Sequence, residues 1–212
     1  MEAGLMLIFW YGMLHAFGPD HLTVIADFSI GKNRQKTLLI TSLFALGHGI
    51  SLFIFAKILQ YTKLSEDILA YGDVISAIVI LGMGLYLLWM VSTQRIHLSK
   101  HTHDGKEHIH IWFGRSHEHN NVASSSSFSL GLLMGAGGVR GMLITFGALQ
   151  GGVVDLTMVG VFTAGVIFIF ITFGMIIFYI NENFLGNIKN VRRAFATAGI
   201  ASVIVGTNIL LT

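Results

Sequence analysis

No cysteine occurs in the chain, and there is only one proline. The first absence removes disulfides, thiolate metal sites and thiol redox chemistry. The second leaves a single place, Pro19, where a helix must lose a backbone donor. Charge is scarce as well: 11% of the 212 residues are Asp, Glu, Lys or Arg, against about 25% in ordinary soluble domains. In their place 53% of the residues are hydrophobic and the mean hydropathy is +0.71. So much apolar surface cannot be kept from water in a fold of this length. The alternative solvent is lipid, where only helices or closed barrels satisfy every backbone group. The apolar runs reach the ~20 residues of a membrane helix and exceed the ~10 of a barrel strand. The composition therefore implies an all-α polytopic membrane protein. The first apolar run has neither the basic start nor the small-residue cleavage site of a signal peptide, so it is expected to be retained.

Six spans are expected, approximately 4–30, 37–61, 69–92, 128–150, 156–180 and 193–211. They divide the chain into a first three-helix half (1–92), a histidine-rich loop (93–127) and a second three-helix half (128–212). The loop holds seven of the ten histidines and ends in Ser124–Ser127, a flexible-linker composition. Basic residues collect in three connections. These are Lys32, Arg34 and Lys36; Arg95, Lys100, Lys106 and Arg115; and Lys189, Arg192 and Arg193. With six spans these connections share one face, and the other face has only Lys57 and Lys63. The positive-inside rule then puts the loop in the cytoplasm and both termini outside. A faint repeat relates the halves. Gly18-Pro19-Asp20 corresponds to Gly138-Val139-Arg140, and Ala45-Leu46-Gly47-His48 to Thr163-Ala164-Gly165-Val166. Three spans per half would make the repeats inverted, as in many secondary transporters.

The polar residues inside spans carry the chemistry, because lipid tolerates them only where they face a polar interior. The first span contains His15, Asp20 and His21 around the chain's only proline. In an unbroken helix His15 and His21 would lie ~120° apart around the axis and ~9 Å apart along it, too far for one small ion. A break at Gly18-Pro19 would bring them together with Asp20 and with the His15 carbonyl freed by proline. His48, between Gly47 and Gly49 in the second span, lies at matching depth on an antiparallel helix. A single membrane histidine often does no more than hydrogen-bond between helices. Four such groups at one depth are harder to explain that way. Three imidazoles, a carboxylate and a carbonyl suit Ni2+, Co2+ or Zn2+, whereas Ca2+ would want oxygens alone and Cu+ sulfur.

The loop sequence His101-Thr102-His103-Asp104-Gly105-Lys106-Glu107-His108-Ile109-His110 has the Asp-Gly signal of a two-residue hairpin turn. Pairing 103 with 106 sets 101 opposite 108 and places His101, His103, His108 and His110 on one face. His117 and His119 repeat the alternation. This reads as a surface for metal capture, with a solvated loop or a pH sensor as alternatives. Arg140 is expected mid-membrane, either as a gate partner of Asp20 or as a structural ion pair. Asp27, two turns beyond Asp20 on the same face, would mark an exit path.

His15-Ala16-x-x-x-Asp20-His21 followed by Leu46-Gly47-His48 resembles the nickel–cobalt transporter family. The resemblance is closest to its short six-helix members, among them urease-accessory nickel permeases and nickel/cobalt efflux proteins with a cytoplasmic histidine-rich loop. It implies gradient-coupled transport of Ni2+ or Co2+, with Zn2+ behind them, and no prosthetic group. His15, Asp20, His21 and His48 are the matching motif positions. A cytoplasmic metal-delivery or urease-maturation protein is the implied partner, and nucleic acid is not. Longer members carry a further acidic-and-threonine motif that has no counterpart here, where Gly135–Gly141 stands instead. Two other classes remain open: a membrane-embedded metalloenzyme, and an anion exporter of the sulfite type organised around Arg140. The second half offers no histidine, which counts against a dinuclear centre, and no phosphate-binding loop suggests ATP hydrolysis.

Overall fold

The computed structural model describes the backbone of residues 2–61, 66–103, 106–113, 122–150 and 155–211. Within these, the side chains at 2–3, 60, 66–70, 98–103, 106–113, 122–124, 140–141 and 144–150 are not described. The elements in order are α1 (Glu2–Ala16), α2 (Pro19–Ser29), α3 (Arg34–Tyr61), α4 (Glu66–Ser92), β1 (Ile96–His103), β2 (Lys106–Phe113), α5 (Val122–Gln150), α6 (Leu156–Phe184) and α7 (Ile188–Leu211). Among the described residues four helical stretches are long and apolar enough to cross a membrane, namely Arg34–Leu59, Tyr71–Ser92, Leu156–Phe184 and Ile188–Leu211. The chain is a helical integral membrane protein.

The first apolar run is two helices. Pro19 occupies the first turn of α2, where its missing N–H costs nothing and its fixed φ suits a helix start. Gly18 precedes it with extended geometry, φ −49° and ψ 128°. A Cβ at Gly18 would collide with Asp20 Oδ1 and fall 3.0 Å from His21 Nδ1, so a larger residue there would push the Asp20 carboxylate away from His21. The His15 carbonyl, expected to be free, accepts from the Gly18 N–H at 2.9 Å. A tight turn recovers the bond that proline removes. At the far end Gly31 takes φ 75°, a left-handed conformation that only glycine adopts without strain. Its N–H donates to Asn181 Oδ1 at 2.9 Å, and Asn181 Nδ2 donates to the carbonyls of Ser29 (2.7 Å) and Lys32 (3.0 Å). The end of α2 is thereby clipped to α6.

Ser124–Ser127, expected as a linker, lies within α5, and Ser127 is fully buried. Tertiary packing outweighs the middling helix propensity of serine. The α6 N-cap is Asp155, which accepts from the Thr157 N–H at 2.6 Å. That bond holds its carboxyl below the usual carboxylate range.

Helices of the first half pack on helices of the second: α1 on α6, α3 on α5 and α4 on α7. Each crossing is made at glycine. Gly12 abuts the Phe162 carbonyl and Gly165 the Phe9 carbonyl; Gly131 abuts the Phe44 carbonyl and Gly47 the Phe128 carbonyl. In the third pair a Cβ at Gly84 would sit 2.8 Å from the Gly199 carbonyl oxygen, and one at Gly206 2.8 Å from the Leu81 nitrogen. Glycine lets backbones touch where no hydrophobic driving force separates helix from lipid.

β1 and β2 form an antiparallel hairpin in the register His103↔Lys106, His101↔His108 and Ser99↔His110, as the Asp-Gly signal predicts. Positions 101, 103, 108 and 110 fall on one face of this ladder by alternation. The hairpin is rooted by Ile96, which is fully buried in an apolar cluster with Ile30, Met90, Leu185 and Phe195.

Candidate metal centre

The helix break determines the site. By turning the chain between α1 and α2, it sets His15 at the end of one helix and His21 in the first turn of the next. Their ring centroids are 4.9 Å apart. His48 arrives from α3, with its ring 4.9 Å from His21 and 5.7 Å from His15. One nitrogen from each imidazole falls in a triangle with no side above 4.8 Å. His21 and His48 are buried, at 2% and 0% exposure. An ion bound at ~2.1 Å holds its nitrogens roughly 3–4 Å apart, so the triangle is slightly open and needs about 1 Å of closure.

Asp20 stands outside the triangle. Its Oδ1 lies 2.8 Å from His21 Nδ1. With the carboxylate ionised, Nδ1–H is the donor, which leaves the Nε2 lone pair facing the other two rings. A carboxylate behind a ligating histidine fixes its tautomer and orientation and raises its basicity. Asp20, expected as a ligand, thus hydrogen-bonds one of the three histidines and is not one of the three residues in the triangle.

Nε2 of His15, Nε2 of His21 and both ring nitrogens of His48 are buried without a hydrogen-bond partner. Buried polar atoms are nearly always satisfied, and one nitrogen from each of the three rings could hold a metal ion. The rings are held by aromatic walls absent from the expected set. Phe162 lies 5.4 Å from His15, Phe170 lies 5.5 Å from both His21 and His48, and Phe44 stacks on His48 at 6.3 Å. All three phenylalanines are fully buried.

The open side faces a cavity of about 500 Å3. Opposite the histidines it is lined by Asp73 and Ser76 of α4, Gly137 and Gly138 of α5, and Asn208 of α7. Gly138 brings the second half against the imidazole nitrogens. A Cβ there would fall 2.9 Å from His15 Nε2 and 3.2 Å from His48 Nε2, in the space an ion needs. Neither the glycine nor the polar residues across the cavity stand out in the sequence. Single polar residues in spans carry no spacing signal, although the repeat expected from the sequence pairs Gly138 with Gly18.

Asp27 does not line this cavity. It is buried, and its Oδ2 accepts from Ser202 Oγ at 2.8 Å. The side chains of Arg140, His101, His103, His108 and His110 lie outside the described residues, as do His117 and His119 entirely. Compared with models of known protein families, with curated proteins and with solved structures, the chain matches none.

Proposed function

We propose that the protein is a secondary transporter that moves Ni2+ or Co2+ through the His15–His21–His48 centre. The observation that carries this reading is the cluster of orphaned imidazole nitrogens at a broken helix facing a polar cavity. Nitrogen donors favour Ni2+, Co2+ and Zn2+ over harder cations, and a helix broken near mid-span is a recurrent way to build a transport site. The cavity's roughly 500 Å3 exceeds the needs of a bare ion severalfold, at ~30 Å3 per water. A hydrated cation fits it, and the imidazoles then replace part of its water shell. In this reading Asp20 orients His21, Asp73, Ser76 and Asn208 line the approach, and the phenylalanine walls keep the rings from turning away.

Six spans complete the architecture: α1 with α2 as one broken span, then α3, α4, α5, α6 and α7. The glycine crossings support an inverted repeat. Gly12 and Gly131 are 119 apart in the chain, Gly47 and Gly165 are 118 apart, and Gly84 and Gly206 are 122 apart. Exchanging the halves turns the Gly12–Phe162 contact into Gly131–Phe44, and the Gly84–Gly199 contact into Gly206–Ala77. By the distribution of lysine and arginine, both termini lie outside and the hairpin lies in the cytoplasm. There its histidines collect metal from, or hand it to, a cytoplasmic metal-delivery protein.

Metal uptake or release by proteoliposomes tests the proposal. Ni2+ or Co2+ flux should be lost in His15→Ala and retained at saturating metal when the hairpin histidines are deleted. Bound metal without flux in the wild type would overturn the transport reading while leaving the centre in place.

A further inference from the structure

A second concavity lies on the outer side of α2. It is a groove between α2, α6 and α7, about 690 Å3 in volume and, two threonines aside, lined by apolar side chains. Pro19 lies at one end, at the helix break; Ile30, Leu185 and Ala194 lie at the other. From Pro19 to Ile30 the α2 backbone rises ~16 Å. Half of a ~30 Å hydrocarbon core is ~15 Å. The groove therefore matches one leaflet, the reach of an acyl chain, and is half of what a spanning helix from a second copy would need.

The far end is basic. Residues 29–36 and 181–193 together contain Lys32, Arg34, Lys36, Lys189, Arg192 and Arg193, against Glu182 as the only acid. These two segments are held together. Asn181 bonds both Gly31 and the Lys32 carbonyl, and Ile30, Leu185 and Val191 share one buried cluster. Arg192 Nε is buried without a hydrogen-bond partner. Burial, and after it the charge of Lys36, holds the Lys32 ammonium below the usual lysine range.

We propose that this groove holds one acyl chain of an anionic phospholipid, with the lipid phosphate seated on Lys32, Arg192 and Arg193. The chain end then rests against Pro19, which also lines the histidine cavity, so the lipid forms the outer backing of the helix break. The inference needs the protein to be in a membrane and is independent of what the histidine centre binds.

The test is lipid retention by the full-length protein after extraction from bilayers of phosphatidylcholine mixed with phosphatidylglycerol, read by native mass spectrometry. The wild type should retain one phosphatidylglycerol in preference to phosphatidylcholine. The double substitution Arg192→Gln with Arg193→Gln should cut that preference roughly 30-fold, at ~1 kcal/mol for each basic group near the headgroup. Ala198→Trp, which fills the groove and leaves the charges alone, should release both lipids. Equal retention of the two lipids by the wild type would overturn the proposal. So would unchanged retention in Ala198→Trp, or a wild-type dimer cross-linked through the groove. The headgroup half of the test does not depend on Ala198→Trp folding, and Arg193→Gln alone, at an exposed position, should lower the preference in the same direction without disturbing the half-buried Arg192.

Discussion

The two halves of the chain pack on one another through glycine and differ in what they place at the centre. In the first, position 18 breaks a helix, and His15, His21 and His48 gather around the break. In the second, position 138 is a glycine inside an unbroken helix, and no histidine occurs in that half. One half supplies donors and the other supplies room. The lesson is that the site is as much a matter of missing side chains as of present ones. A Cβ at Gly138 would stand 2.9–3.2 Å from two of the three rings, in the space between the nitrogens that the aromatic walls hold in place.

That division of labour can be broken from either side. The largest effect is expected from Gly138→Val, which leaves every donor in place and fills the space between them. Co2+ binding, followed by the visible absorption of the imidazole-bound ion, should weaken by more than the roughly 10–100-fold typical of losing a supporting group. Helical content by circular dichroism should be unchanged, and near-normal affinity would mean that the second half contributes no part of the centre. A smaller loss, about tenfold, is expected from Asp20→Asn. The amide oxygen still accepts from His21 Nδ1 but no longer raises its basicity. A loss as large as that of a ligand would instead make Asp20 a direct donor. The smallest effect is expected from Asn181→Leu, which removes the second half's grip on the end of α2. Three bonds worth about 1 kcal/mol each are lost, and amide exchange in residues 29–33 should quicken. Metal affinity should fall only a few-fold, because the donors themselves are untouched.

What the sequence makes legible are the features governed by local rules. The break follows from the only proline beside a glycine, the meeting of His15 with His21 follows from the break, and the hairpin register follows from Asp104-Gly105. The rest depends on three-dimensional neighbours. Phe44, Phe162 and Phe170 are three of the chain's sixteen phenylalanines, and they lie in helices that are apolar all round, where periodicity cannot pick out an inner face. Asp73, Ser76 and Asn208 come from two helices that only the tertiary fold brings to the cavity. The His15 carbonyl looks free by helical bookkeeping and is taken by a turn that the bookkeeping does not anticipate. Ser124–Ser127 looks like a linker by composition and is helix by packing.

The Asn181 clip has a mechanical consequence. It makes α2 a lever pinned near Gly31 and free at the proline break, with His21 and Asp20 on the free end. The arm from the pin to His21 is ~15 Å at 1.5 Å per residue, so a tilt of about 5° moves the imidazole by about 1 Å. That is the distance by which the nitrogen triangle is too wide for an ion. Such a swing brings His21 towards the other two rings without unfolding, while the separation of His15 from His48, 5.7 Å between centroids, is set by the packing of α1 and α3.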